Sequence, residues 1–133
     1  MKELSIQSRH HTEFIDITAE IQSVIQELGF KEGLITIYVP HTTAAITINE
    51  NADPDVVADI KAVLDNLVPW NGQYRHGEGN AAAHVKASLI GSSIQMPVEN
   101  GHLKTGTWQG IYFCEFDGPR NRRVWVLPCP PCS

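Results

Sequence analysis

The sequence predicts an α+β fold, a single compact domain with a mostly antiparallel β-sheet and about three helices. Apolar and polar residues alternate in several short segments, as in half-buried strands, whereas three longer segments repeat apolar residues at helical spacing. These strands and helices do not alternate as βαβ units would, which disfavours a parallel sheet. With 133 residues, 42% of them hydrophobic, the chain is long enough to bury one core.

The N-terminal quarter predicts two short strands and a helix. Residues 4–6 and 14–17 alternate in polarity, and a His-His-Thr turn separates them. The following helix has Thr18 as its expected capping residue and Gly29 as its stop. Its apolar residues recur at helical spacing: Ile17, Ile21, Val24, Ile25 and Leu28.

The middle of the chain predicts two more strands and two more helices. Residues 34–39 are rich in β-branched side chains and indicate a buried strand, which 40–43 interrupt before a second strand over 44–48. Asp53 followed by Pro54 is typical of a helix start, and Pro69 closes that helix. A third helix is predicted from a cap at Asn80 through Ile90, ended by Gly91.

The last third predicts three strands, over 92–98, 106–116 and 123–127. Residues 117–120, Asp-Gly-Pro-Arg, are expected to form a hairpin connection between the last two. We therefore assign residues 1–127 to the domain and residues 128–133 to a flexible C-terminal tail.

Three cysteines are too few for a disulfide framework and fit a reducing compartment. Cys114 lies in an apolar strand and is expected in the core. Cys129 and Cys132 have CxxC spacing, but two prolines separate them at the chain end, which disfavours a redox motif. One such pair also supplies only half of a four-sulfur zinc site.

Net charge and hydropathy exclude two classes of partner. The chain carries a net charge of −5, and its basic residues cluster only at Arg120, Arg122 and Arg123, which argues against nucleic-acid binding. No apolar run approaches the roughly 18 residues of a membrane-spanning helix. The N-terminal residues lack the apolar stretch of a signal peptide. We therefore expect a cytoplasmic protein that binds neither membranes nor nucleic acids.

Residues 70–84 form the most informative segment, a polar, glycine-rich loop that continues into the third helix. It brings together an arginine, a glutamate and two histidines, and loops on a rigid scaffold are where binding residues concentrate. A plain surface loop with solvated histidines is the alternative.

His41, His76 and His84 are candidate metal ligands, because imidazole is the commonest metal ligand among side chains and catalytic metals usually have three protein ligands. Their spacing is not diagnostic, and packed or solvated histidines remain the alternative.

Two further groups are candidate substrate-binding residues. The backbone from Gly79 and Asn80 to Ala82 opens a helix, where free N–H groups favour an anion such as phosphate. Arg120 offers bidentate hydrogen bonds to the same kind of group. Thr107, Trp108 and Gln109 present a hydroxyl, an aromatic face and an amide, a set that suits a planar heterocycle. In each case the alternative is purely structural: a turn, a helix cap, a solvated arginine, or a tryptophan that fills the core.

Four segments together resemble one family, and the likeness covers about residues 1–127. They are HTTAAITINENADPD at 41–55, RHGEGNAAAH at 75–84, GTWQG at 106–110 and CEFDGPR at 114–120. In this order they are similar to the signatures of the YjbQ-like family. The loop at 71–74 and the Cys-Pro-Pro-Cys end depart from the pattern.

The resemblance implies a homotrimer with a polar pocket that contains histidines and often a divalent metal. It also implies secondary thiamine-phosphate synthase activity, as a main or a side reaction. That reaction joins hydroxymethylpyrimidine diphosphate to thiazole phosphate and releases pyrophosphate. Three histidines suit zinc best, with manganese and iron next, whereas magnesium prefers oxygen ligands.

On this interpretation the catalytic residues are His84, as a metal ligand, and Glu78. A metal on the three histidines, the helix start at Asn80 and Arg120 would stabilise the leaving pyrophosphate, and Trp108 would stack on a ring. Two other classes remain open. One is a metal-dependent hydrolase in which Glu78 is the general base, and the other is a non-catalytic module for a small phosphorylated molecule.

Overall fold

The computed structural model describes residues 1–132. Within them lie eight strands and three helices, in the order β-β-α-β-β-α-α-β-β-β-β. The strands are β1 (Lys2–Gln7), β2 (Glu13–Asp16), β3 (Gly33–Tyr38), β4 (Ala44–Glu50), β5 (Ser93–Glu99), β6 (His102–Leu103), β7 (Gln109–Glu115) and β8 (Asn121–Cys129). The helices are α1 (Thr18–Leu28), α2 (Pro54–Leu67) and α3 (Ala81–Ile90). The predicted α+β class with three helices is confirmed.

The strands form two antiparallel sheets. One has five strands in the order β1-β8-β3-β5-β6, and the other has three in the order β2-β7-β4. Side chains of both sheets and of α1 fill the space between them, with Ile46 and Phe113 fully buried at its centre. The alternate residues of β4 and β7, Ala45 and Cys114 among them, face the other way, against α2 and α3. The period of two in these strands thus produces two apolar faces, both covered.

The chain passes between the two sheets six times, and three of these passages are the loops between β1 and β2, β3 and β4, and β7 and β8. Residues 117–120 therefore do not form the predicted hairpin, because β7 pairs with β2 and β4 whereas β8 pairs with β1 and β3. A strand's partner depends on residues far away in the sequence, which local turn signals do not report. The β1–β2, β3–β4 and β7–β8 loops meet at one junction, where their backbones are hydrogen-bonded to one another.

Helix ends differ in detail from the prediction. Asp53 caps α2 as expected, and its side chain accepts a hydrogen bond from the N–H of Asp55. Gly29 ends α1 in a left-handed conformation, with φ of 62°. Thr18 does not cap α1. Its hydroxyl donates to Asp16 and accepts the N–H of Ile111, so that it ties the helix to β7 instead.

The C-terminal boundary also needs correction. Strand β8 continues through Pro128 to Cys129, which pair with Ile35 and Leu34 of β3, so these two residues belong to the sheet and not to the predicted tail. The tail's final residue, Ser133, lies outside the described residues. In residues 1–132 no helix is long and apolar enough to cross a membrane.

Candidate functional site

A polar cavity of about 430 Å³ lies at the junction where strands cross between the sheets. The loop before β4 and the loop before β8 meet there, and the N–H of Phe116 donates to the carbonyl oxygen of Thr43 at 3.2 Å. The residues that line the cavity are Pro40, His41, Thr42, Thr43, His76, Glu78, Asn80, His84, Asp117, Arg120 and Arg122. The structure thus brings together all three predicted histidines with Glu78, Asn80 and Arg120.

A buried ion pair underlies this cavity. Glu115, which is fully buried, accepts hydrogen bonds from the guanidinium of Arg122, one of them at 2.8 Å from Nε. Arg122 also donates to the hydroxyl of Thr43 at 2.8 Å. Burial alone would raise the pKa of Glu115, but hydrogen bonds from Arg122, Ser8 and the N–H of Asp117 outweigh it and lower the pKa. The carboxylate therefore stays ionised. Together with Arg122 it joins three loops: the loop after β1 through Ser8, the loop before β4 through Thr43, and the loop before β8 through Asp117.

Gly118 belongs to the same support. A Cβ at this position would overlap the carbonyl oxygen of His10 and lie 2.8 Å from both the Glu115 Cγ and the Ser8 Oγ. Only a residue without a side chain lets the 116–120 loop come this close to the passage from β1 to β2. Ser8 in turn donates to Glu115 at 2.6 Å and accepts the N–H of Arg120 at 2.9 Å.

His41 lies in the passage from β3 to β4. Its Nε2 accepts a hydrogen bond of 2.9 Å from the backbone N–H of Arg123 on β8. A neutral ring that accepts at Nε2 carries its proton on Nδ1, so neither nitrogen offers a free lone pair to a metal. Burial, and then the charge of Arg122, lower the pKa of His41 and keep the ring neutral. In this geometry His41 is suited to donate a hydrogen bond from Nδ1, which differs from the ligand role predicted for it.

The rings of His76 and His84 are in contact, with centroids 5.1 Å apart in an edge-to-face arrangement. Glu78 is beside them, its Oε2 3.9 Å from the Nε2 of His76. Two imidazoles and a carboxylate are a donor set that fits zinc, manganese or iron by chemical type. Over residues 1–132, no three His, Cys, Asp or Glu side chains are grouped tightly enough to hold one ion. The three-histidine site therefore stays a prediction.

Asn80 is at the start of α3 but does not cap it, contrary to expectation. Its Nδ2 instead donates to the Oδ2 of Asp117 at 2.9 Å, and Arg120 donates to the same oxygen at 3.0 Å. Because a carboxylate only accepts, the amide of Asn80 has a fixed orientation. Its Oδ1 is buried, and no hydrogen-bond donor among the described residues reaches it. Asn80 itself is among the residues that line the cavity.

The other predicted binding residues are placed elsewhere. Gly79 has a φ of +79°, which favours glycine, but it is exposed and does not line the cavity. Thr107 and Trp108 precede β7 and Gln109 begins it, whereas the cavity lies beyond the other end of that strand, roughly 20 Å away at about 3.4 Å per residue. Trp108 is 62% exposed, so it neither fills the core nor stacks in this cavity. Within one chain, the predicted ring-binding set is not part of the site.

Two residues of the site were missed at the level of sequence. The sequence predicts only a turn position for Asp117, and it offers Arg122 only as one of three clustered arginines. The available signal was Glu115, a charged residue between Cys114 and Phe116 in an otherwise apolar strand. A buried carboxylate requires a cationic partner, and the arginine cluster a few residues later supplies it.

Together these features define a class of protein: a small α+β domain with a histidine-bearing polar cavity at the junction of two antiparallel sheets. The chain belongs to the family described as UPF0047 protein YjbQ-like, whose model matches residues 2–129. The match covers both sheets and every residue of the cavity.

Relatives in sequence and in structure agree with this assignment. The UPF0047 protein YugU of Bacillus subtilis is 54% identical over 95% of this chain and 96% of its own. The UPF0047 protein MJ1081 of Methanocaldococcus jannaschii is 51% identical over 91% of this chain and 88% of its own. A crystal structure of a YjbQ/UPF0047 family protein from Clostridium acetobutylicum superposes with a TM-score of 0.93 at 54% identity, covering 96% of this chain and 98% of that one. A hypothetical protein from Aeropyrum pernix has a TM-score of 0.92 at 36% identity, with 98% of both chains covered.

Proposed function

We propose that the cavity is an active site for small phosphorylated molecules and that it uses a divalent metal, with zinc favoured. For the reaction itself we propose thiamine-phosphate synthesis, which the family resemblance implies, as a main or a side activity. The observation that supports a phosphate-directed active site is the composition of the polar cavity. It combines paired imidazoles, a partly exposed guanidinium and a buried amide oxygen without a donor.

Arg120 is the proposed phosphate ligand. Its Nε donates to the carbonyl oxygen of Asp117 and one terminal nitrogen donates to the Asp117 carboxylate, which orients the planar guanidinium. The side chain is still half exposed, so its remaining N–H groups are accessible to a ligand. Hydrogen bonds from a guanidinium to a phosphate are charge-assisted and directional. Arg120 would therefore position the anionic group and offset its charge.

His76 and His84 would hold the metal, and Glu78, whose carboxylate is 3.9 Å from His76, would move closer to complete the set. When bound, the ion supplies positive charge beside the phosphate groups. His41 would donate its Nδ1 proton in a hydrogen bond to the substrate, since its other nitrogen is engaged by Arg123. The unpartnered Oδ1 of Asn80 would accept from an N–H or O–H of the substrate.

In the proposed synthesis, the thiazole nitrogen forms a bond to the methylene carbon of the pyrimidine while the bond from that carbon to the pyrophosphate oxygen breaks. The electron pair of the breaking bond leaves with the pyrophosphate, and the ring nitrogen becomes positively charged without losing a proton. Negative charge develops on the leaving group, and Arg120 would stabilise it there.

A hydrolase is the second candidate. The carboxylate of Glu78 is 3.9 Å from His76 and is exposed, so water reaches it readily. A carboxylate beside a metal ligand is positioned to remove a proton from water. The same cavity would then hydrolyse a phosphorylated compound instead of joining two.

The test follows pyrophosphate release and product mass with hydroxymethylpyrimidine diphosphate and thiazole phosphate, with each divalent metal in turn. We expect thiamine phosphate from the wild type, no product from His84→Ala, and a normal rate from His102→Ala, a matched control on β6. Arg120→Ala should lose about 1.5–3 kcal/mol of substrate binding. Hydrolysis of a substrate without formation of thiamine phosphate, abolished by Glu78→Gln, would favour the hydrolase. Binding without turnover would indicate the non-catalytic module.

A further inference from the structure

Another cavity, of about 560 Å³, lies where α2, α3 and the loop between β1 and β2 come together. It is lined by residues 11–12 of that loop, Asp65 of α2, residues 69–71 that follow α2, and Lys86 of α3. We call it the lysine cavity. It shares no lining residue with the histidine-bearing cavity. Its volume is within the range of roughly 300–1,000 Å³ that is common for small-molecule sites.

Lys86 is a buried cation in the wall of the lysine cavity. Only 3% of the residue is exposed, although lysine is almost never buried to this extent without a partner. Its Nζ donates to the Oδ1 of Asp65, and the ring of Phe116 lies 6.0 Å away. An ammonium has three N–H donors, and within residues 1–132 Asp65 is its only hydrogen-bonded acceptor. Because buried donors are nearly always paired, the remaining N–H groups are available to a ligand in the cavity.

Asp65 gives the same wall a negative charge beside the positive one. Its side chain is 62% exposed, and its Oδ2 accepts no hydrogen bond from the residues that the structure describes. The other residues that line the cavity, 11–12 and 69–71, include no Asp, Glu, Lys or Arg. The wall thus offers one cation and one anion side by side. By charge complementarity it fits a molecule that carries both signs of charge better than a simple ion.

Trp70 gives the lysine cavity an aromatic wall. The indole is half-buried and packs against the apolar cluster beneath α2 and α3, which fixes its position. The ring of His11 meets it edge to face, with centroids 4.3 Å apart, and Pro69 precedes it in the lining. An apolar or aromatic group placed against the indole is removed from water, which favours its binding. The cavity therefore combines a pair of opposite charges with an apolar surface.

We propose that the lysine cavity binds a free α-amino acid with an aromatic or other apolar side chain. The carboxylate of the amino acid accepts from the Nζ of Lys86, its ammonium donates to the Oδ2 of Asp65, and its side chain lies against Trp70. The two charges of an α-amino acid are attached to the same carbon, which suits two wall charges that are themselves in contact. The charged ends of a peptide are further apart. This inference is independent of the proposed function, because it concerns a separate cavity.

The experiment compares L-phenylalanine with two derivatives, each titrated calorimetrically into the purified full-length protein. N-acetyl-L-phenylalanine lacks the ammonium, and L-phenylalaninamide lacks the carboxylate. We expect each derivative to bind the wild type at least about tenfold more weakly than phenylalanine, because each loses one charged hydrogen bond. This comparison needs no variant, so that it tests the proposal even where a substitution prevents folding.

Two variants assign the charges to their partners. In Lys86→Met, phenylalanine should bind no more tightly than phenylalaninamide, because the partner of its carboxylate is gone. In Asp65→Asn, it should bind no more tightly than the acetylated derivative. Asp59→Asn, at an exposed position on the same helix and outside the cavity, is the matched control and should bind as the wild type does. Thermal unfolding of each variant verifies that it is folded.

Several results would overturn the amino-acid site. One is the absence of phenylalanine binding to the wild type at millimolar concentration, and another is equal affinity for all three compounds. Unchanged phenylalanine affinity in a folded Lys86→Met protein would also overturn it, since the ligand would then bind elsewhere. Arg120→Ala should leave phenylalanine affinity unchanged, and a loss there would place the ligand in the histidine-bearing cavity instead. These results leave the proposed function untouched, because none of them measures phosphate binding.

Discussion

The backbone N–H of Arg123 donates a hydrogen bond of 2.9 Å to the Nε2 of His41, across 82 residues of sequence. Arg123 lies on β8 opposite Ser5 of β1, and the ladder between β8 and β3 ends two residues away from it, at the pair Trp125 and Tyr38. His41 thus satisfies a backbone donor just beyond the end of that ladder. One histidine of the cavity therefore has a structural role as well as the proposed role in binding.

Metal binding should depend on His76 and His84. We expect His76→Ala and His84→Ala each to lower zinc affinity at least about tenfold, since each removes a ligand. His102→Ala, an exposed histidine outside the cavity, serves as the control. The measurement is zinc content by elemental analysis after dialysis against buffered zinc. His41→Gln, whose amide oxygen still accepts from Arg123, should retain the metal. Loss of zinc in that variant would restore the three-histidine set.

Glu115 should control stability in acid. Its lowered pKa means that the folded state binds this proton less readily than the unfolded state, so its stabilising effect is complete above about pH 4.3 and is lost as the pH falls below that. Glu115→Gln should reduce the free energy of unfolding at pH 7 by about 3 kcal/mol, because Arg122 loses its buried partner. The pH dependence below about 4.3 should become shallower.

Urea unfolding from pH 3 to pH 7 measures both effects of the Glu115 substitution. Glu99→Gln, which removes an exposed ion pair with Lys104, is the control and should stay within about 0.5 kcal/mol of wild type. A Glu115→Gln protein as stable as this control at pH 7 would contradict the proposed support for the site.

Gly118 should tolerate no side chain. Gly118→Ala forces its Cβ against His10, Glu115 and Ser8, so we expect a loss of about 1–3 kcal/mol in unfolding free energy. Gly77→Ala is the matched control, because its Cβ would meet no atom within 4 Å. Thermal denaturation of the two variants side by side is sufficient. Equal midpoints would show that the 116–120 loop moves aside freely.

The three thiols should differ in reactivity. Burial raises the pKa of Cys114, so that its thiol should stay protonated and inert in the folded protein. Cys129 and Cys132 are exposed. A thiol reagent such as dithionitrobenzoate should therefore modify two groups per chain in native buffer and three after denaturation. Cys114→Ser should leave the native count at two, and a native count of three would contradict the burial of Cys114.

We also propose a homotrimer, which the family resemblance implies. The outer face of the five-stranded sheet supports association, because Leu34, Tyr38 and Leu127 are each exposed by more than a third there. Light scattering at micromolar concentration should report about three times the chain mass of 14.7 kDa. Leu127→Glu should lower that mass, whereas Leu67→Glu on α2 should not. A wild-type mass equal to one chain would exclude the trimer.

The elements were largely predictable because their signals are local. Helices α1, α2 and α3 follow from apolar spacing and from stop residues such as Gly29, and the strands follow from alternation. The presence of His41, His76, His84, Glu78, Asn80 and Arg120 in one cavity was also anticipated, with the family motifs as support. The short strand β6 and the sheet partners of β7 and β8 were not.

By itself the sequence determined which segments are helical or extended and which polar residues are available for chemistry. Both are visible in patterns that span only a few residues of sequence. Only the tertiary structure decided that β7 and β8 belong to different sheets, because strand pairing depends on contacts distant in sequence. That choice places Glu115 beneath Arg122, directs Asn80 to Asp117, engages His41 with Arg123 and leaves Trp108 far from the cavity. Each of these relations is a hydrogen bond or a separation between residues many positions apart, which no local pattern encodes.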